Sequence, residues 1–153
     1  MNTNPMTARE YLEQAYQMNN EINVKVAQRD ALRDLATRVT PTLSDTPRSG
    51  GNPQAMENTV VRIIMMEDAI NADIDRLIDM KESITAFLQT LPNPEHRRLL
   101  ILRYTVFAQW KKIADIMKYN VRHVYKLHDM ALEAVDALLP AEKRARRYDE
   151  VAL

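Results

Sequence analysis

Met56, Ile63, Ile70, Leu77, Ile84 and Leu91 stand at an unbroken interval of seven. A long α-helix brings residues at that spacing to one side turn after turn. Residues from Pro53 to about Leu91 are therefore predicted as one helix of a coiled coil or helical bundle. Val60, Ile74 and Leu88 supply most of the complementary seam, and Glu67 and Lys81 interrupt it. At ~1.5 Å per residue the helix is about 57 Å long. Glycine points the same way, because the 153 residues contain only two, Gly50 and Gly51. Glycine-rich phosphate loops and tight β-hairpins are not expected of such a chain.

Thr7-Ala-Arg-Glu10 has the spacing of a capping box, in which hydroxyl and carboxylate satisfy orphan N–H groups at a helix start. Apolar residues recur helically at Leu12, Ala15, Met18, Ile22, Val26, Leu32, Leu35 and Val39, with Lys25 and Arg29 close to the stripe. Residues 7–39 thus form a first rod of about 50 Å. Between the rods, residues 40–53 hold both glycines and three prolines and read as a loop. The rods are expected to fold back as an antiparallel hairpin. Each buries only one stripe, so a second copy of the hairpin would complete the core. Met56, Ile63, Ile70, Leu77 and Ile84 are the candidate oligomerisation residues. Asp73, Asp75 and Asp79 read as the wet face of the second rod.

Charge is distributed unevenly. Lys+Arg and Asp+Glu are both 21, yet residues 54–91 carry a net of −4 and residues 92–153 a net of +4. Within 94–128, eight Lys/Arg face only Glu95 and Asp115, and His96, His123 and His128 all lie there. A local basic excess is the footprint of an anion-binding module, although a solvated helix face carries charge too. The absence of cysteine excludes a disulfide framework, thiolate metal sites and thiol catalysis. No apolar run approaches the ~20 residues that cross a bilayer, and the first residues lack a secretory signal layout. A soluble, cytoplasmic protein without membrane association is expected.

Asn93-Pro94 is an N-cap followed by a first helical proline, which predicts a third helix from Pro94 to about Tyr104 with Leu99, Leu100 and Leu102 inward. A fourth spans about Ala108–Met117, burying Trp110, Ile113, Ala114 and Met117. Asn120 caps a fifth, from Val121 to about Leu139, with Val124, Leu127, Ala131, Val135 and Leu138 on its apolar face. The predicted fold is all-α. A long N-terminal helical hairpin or coiled coil (1–91) precedes a small helix-turn-helix domain (92–140) and a charged, frayed tail (141–153). In a helix-turn-helix the first turns of the second helix enter the major groove, so donors to bases and phosphates must lie there. Arg122, His123, Tyr125 and Lys126 occupy those turns, while Val124 and Leu127 point to the scaffold.

RRLLILRY followed by WKKIADIMKYNVRHVYKLHDMAL resembles the −35-reading helix-turn-helix of primary sigma factors. Both have a leucine-rich helix, aromatic-x-x-Ile-Ala, a turn, and a helix ending in Ala-Leu. Over roughly 7–139 the chain is similar to a family of small phage and prophage proteins regarded as transcriptional regulators. That resemblance implies a sequence-specific double-stranded DNA-binding regulator, acting in a bacterial host cell. It implies that Val121, Arg122, Tyr125 and Lys126 face DNA, with Arg122 on guanine, Lys126 on phosphate or a base, and Tyr125 on a sugar or a thymine methyl. Asn120 and His123 lie beside them, and Lys111, Lys112 and Lys118 are phosphate candidates. The family often has glycine in the loop before the tryptophan and Ser or Thr as the recognition-helix cap. Here these are Thr105-Val-Phe-Ala-Gln109 and Asn120.

Two other classes fit parts of this pattern. A small terminase-like packaging factor also joins a helix-turn-helix to an oligomerising region, but usually with the DNA domain first. A sigma-like interaction module would dock on RNA polymerase instead of DNA. No nucleophile, base and oxyanion set marks an enzyme, and no cofactor is implied. His123 and His128, five apart, fall about 140° around a helix with no third ligand evident, so a metal site is not expected.

Overall fold

The computed structural model describes residues 4–39 and 53–145. It is all-α, with no strand among those residues. The helices are α1 (Ala8–Val39), α2 (Pro53–Leu88), α3 (Pro94–Tyr104), α4 (Trp110–Met117), α5 (Val121–Leu138) and α6 (Ala141–Arg144). The loop expected over 40–53 lies, apart from Pro53, outside the described residues. The chain divides into two units, one made of residues 18–77 and the other of residues 1–17 with 78–153.

In the first unit, α1 and α2 run antiparallel. The charges that interrupt the apolar stripes pair across the hairpin: Lys25 Nζ lies 2.5 Å from Asp73 Oδ2, and Arg33 pairs with Glu67. Asp73 is thus buried on the inward side, not on the wet face, because it answers a lysine of the opposing helix and is also bonded by Arg76. Ile22, Ile70 and Leu77 complete the buried seam. Val60, Val61, Ile64 and Met65 point outward near the start of α2 and are about half exposed.

The second unit gathers the first turns of α1, the end of α2 and all of α3 to α6. Thr7 and Glu10 form the expected reciprocal cap: Glu10 N–H donates to Thr7 Oγ1 at 3.2 Å and Thr7 N–H to Glu10 Oε1 at 3.3 Å. Leu12, Ile84, Leu88, Leu91, Leu99, Leu100, Ile113, Val124 and Val135 are fully buried. Each such side chain contributes roughly 1.5–3 kcal/mol, which outweighs any single strained turn in this unit. Sequence order alone assigns residues 7–17 to the hairpin; here Tyr11 packs edge-on against Phe87 at 5.9 Å, tying those turns to the end of α2.

Three expectations change at the margins. Leu138 is exposed and Leu139 buried, because α5 ends at Leu138 and the extended backbone of Leu139 turns its side chain inward. Leu102, Trp110 and Met117 are only half-buried. Of the tail expected to fray, residues 141–144 form α6, and residues 146–153 lie outside the described residues. Arg144 bonds Asp136 Oδ1 at 2.9 Å and the Leu139 carbonyl at 3.2 Å, and its own carbonyl accepts Met6 N–H at 2.9 Å.

Candidate nucleic-acid interface

α3, α4 and α5 pack against one another as a three-helix unit. Asn93 caps α3 by accepting Glu95 N–H at 2.9 Å. Asn120 caps α5 by accepting His123 N–H at 2.7 Å. Both caps are short polar side chains on extended backbone, the arrangement that satisfies an orphan donor. Gln109 at the head of α4 makes no such side-chain bond.

The tight connection from α4 to α5 depends on Lys118, whose backbone is left-handed (φ 60°, ψ 42°). Its N–H and that of Tyr119 both return to the Ala114 carbonyl, closing the end of α4. The glycine-free loop before Trp110 uses a second left-handed residue, Phe107 (φ 64°). Such backbone costs about 1–2 kcal/mol for a residue with a Cβ. At Phe107 the ring offsets it: Lys81 Nζ sits 4.5 Å from its centroid and Tyr16 packs against it at 5.7 Å.

α5 divides cleanly around its axis. Val124, Leu127, His128, Ala131 and Val135 are buried, while Arg122, His123, Tyr125 and Lys126 are exposed and Val121 is half-buried. Lys111 and Lys112 on α4, Lys118 in the turn and Asn120 are exposed too. All nine residues singled out for DNA lie on α4, on α5 or in the turn between them. Charge changes along α5: Arg122, His123 and Lys126 lie in its first turns, and Asp129, Glu133 and Asp136 follow. The five heptad residues are placed differently. Ile70 and Leu77 are buried in the hairpin of the same chain, Ile84 is buried in the other unit, and Met56 and Ile63 are half-buried.

Several residues missed in the sequence shape this surface. Arg103, at the end of α3, lays its guanidinium 4.4 Å from the Trp110 ring and donates to the Ala108 carbonyl at 3.0 Å. Trp110 also packs against Tyr125, at 5.0 Å, and against His128, edge-on at 4.7 Å. His128 is not directed at a ligand. Its Nε2 is 2.7 Å from the Tyr104 hydroxyl inside the core. Burial, helped by the Arg9 guanidinium, pushes His128 down to about 4, and burial pushes Tyr104 up to about 12. His123 instead packs on Tyr119 at 4.4 Å. The Tyr119 hydroxyl donates to Glu95, which raises the tyrosine's pKa.

A family model described as Protein of unknown function (DUF1492) matches residues 38–136, from the end of α1 to late in α5. The chain belongs to the DUF1492 family. No curated protein and no solved structure matches it. The match covers α2, α3, α4 and all but the last two residues of α5, so the exposed basic residues of α4 and α5 all lie inside the family region. No helix among the described residues is long and apolar enough to cross a membrane.

Proposed function

We propose that this DUF1492 protein is a sequence-specific double-stranded DNA-binding transcriptional regulator of phage or prophage type. It reads the major groove with the first turns of α5. The observation that carries the reading is the division of α5: four exposed side chains with hydrogen-bonding capacity, Arg122, His123, Tyr125 and Lys126, stand in its first turns, backed by Val124 and Leu127 in the core. The acidic residues that follow favour entry of the helix by its N-terminal turns, because Asp129 and Glu133 repel phosphates farther along. The resemblance to the −35-reading domain of sigma factors supports the same docking. In this reading the hairpin unit pairs with further copies through the outward patch of Val60, Val61, Ile64 and Met65. Contiguous exposed apolar residues of this kind mark association surfaces.

Docking on a protein such as RNA polymerase is a second reading, favoured by one observation. An open groove of about 470 Å³ is lined by the apolar Ile101, Leu102, Ile116 and Met117 together with Glu95, Arg98, Lys118 and Tyr119. The small terminase-like packaging role has no comparable feature behind it.

The test is a selection of bound sequences from random DNA, then titration of variants on selected and scrambled duplexes at two salt concentrations. Arg122→Ala should cost roughly 1–3 kcal/mol on the selected site and far less on the scrambled one. Lys112→Ala should weaken both similarly and flatten the log–log salt slope by about one. An unchanged ratio of selected to scrambled affinity in a folded Arg122→Ala protein rejects this docking of α5. Failure to enrich any sequence, with polymerase binding retained, moves the assignment to the second reading.

A further inference from the structure

We propose that Trp110, clamped by Arg103, is a positioning residue that presents Tyr125 to the methyl group of one thymine in the bound site. The inference rests on the DNA-reading function above and deepens it. Tyr125 is 47% exposed, yet one side of its ring is already occupied by Trp110, at 5.0 Å and tilted by 54°. Trp110 in turn is held on two further sides, by the Arg103 guanidinium at 4.4 Å and by His128 at 4.7 Å. Arg103 is itself anchored on the Ala108 carbonyl. The array gives an otherwise mobile surface tyrosine a fixed orientation before any ligand arrives.

Position along the helix determines what that ring meets. Val121 lies one turn earlier at i−4, so Val121 and Tyr125 form an apolar strip along α5 beside the parallel pair Arg122 and Lys126. Arginine and lysine match guanine acceptors and phosphates. The tyrosine hydroxyl can bond elsewhere, but the ring face and the valine have one apolar partner among the base edges of the major groove, the C5-methyl of thymine. A ring fixed on one side and wet on the other covers such a methyl without further loss of rotamer freedom.

The experiment uses the full-length protein and the duplexes enriched from random DNA, with each thymine replaced in turn by deoxyuridine. Wild-type protein should lose about fourfold in affinity at one position, the transfer free energy of a single methyl group. Tyr125→Ala should bind the parent more weakly and show no loss at that position, while Tyr125→Phe should keep it. Trp110→Leu should reduce the loss, and so should Arg103→Gln, which leaves the tryptophan in place if the leucine variant folds poorly. The Tyr125→Ala, Arg103→Gln double variant should show nothing beyond Tyr125→Ala. Trp110 is the single tryptophan, so its fluorescence should change more on the parent duplex than on the scrambled one. A flat deoxyuridine scan of a duplex that binds specifically overturns this inference while leaving the DNA-reading function standing. So does a sensitivity that survives Tyr125→Ala, or one untouched by folded Trp110→Leu and Arg103→Gln proteins. If no duplex is enriched at all, both fall together.

Discussion

His128 ties the stability of the α3–α5 unit to pH. The imidazole is 4% exposed, bonded to the Tyr104 hydroxyl and packed against Trp110. Burial, reinforced by Arg9 and Arg103 and opposed by Asp129, lowers its pKa from 6.5 to about 4. Between those values the unfolded chain binds a proton that the folded chain refuses, so stability rises with pH. The contribution is complete above about pH 6.5 and is lost progressively as the pH falls from 6.5 to about 4. A full shift corresponds to roughly 2 kcal/mol between pH 7 and pH 5; discounting for solvent screening leaves about 1 kcal/mol. Urea unfolding followed by circular dichroism at the two pH values reads this as a midpoint lower by roughly 0.5 M at pH 5. His128→Gln keeps a polar partner for Tyr104 but does not titrate, so its midpoint should move only by the background from other groups. Equal losses in wild type and His128→Gln, or a gain of wild type relative to the variant on acidification, would refute the assignment of this pH dependence to His128.

Two further perturbations test the turn and the hairpin. Lys118→Gly relieves about 1–2 kcal/mol of left-handed strain and gives back ~0.4–1 kcal/mol as unfolded-chain freedom, so it should stabilise by roughly 0.5–1 kcal/mol. A thermal melt at or below wild type would show that the lysine side chain supports the turn in some other way. Ile64→Glu with Met65→Glu should convert an associated wild-type protein to monomer mass in light scattering, with helicity unchanged. A compact, stable wild-type monomer at micromolar concentration would remove the association altogether.

The helical skeleton was readable because its signals are local and strong. The seven-residue repeat, the Thr7–Glu10 box and the Asn-capped starts of α3 and α5 each specify an element within one or two turns. What escaped was decided by partners distant in sequence. Asp73 looked like a solvated aspartate because nothing near it in the chain announces Lys25, 48 positions away. Ile70 and Leu77 carry the repeat, but a heptad cannot say whether its seam is filled by the same chain or by another copy. Phe107 and Lys118 take left-handed backbone that no sequence rule assigns to them, since the compensation at Phe107 comes from Lys81 and Tyr16. The exposed residues of α5 followed from spacing alone. The Arg103–Trp110–Tyr125 array did not, because it joins three helices.

The clasp between Met6 and Arg144 has a consequence for synthesis. Its partners are 138 positions apart, whereas the contacts that assemble α3, α4 and α5 span a few tens of residues. Short-range closure is fast and long-range closure slow. On the ribosome, α3, α4 and α5 can therefore pack together soon after they emerge. The first turns of α1, made long before, must wait for residue 144 to leave the exit tunnel before the clasp can close. In that interval Tyr11 can pack only on partners already made, such as Phe87, and the unclosed end of the core is open to chaperones and proteases.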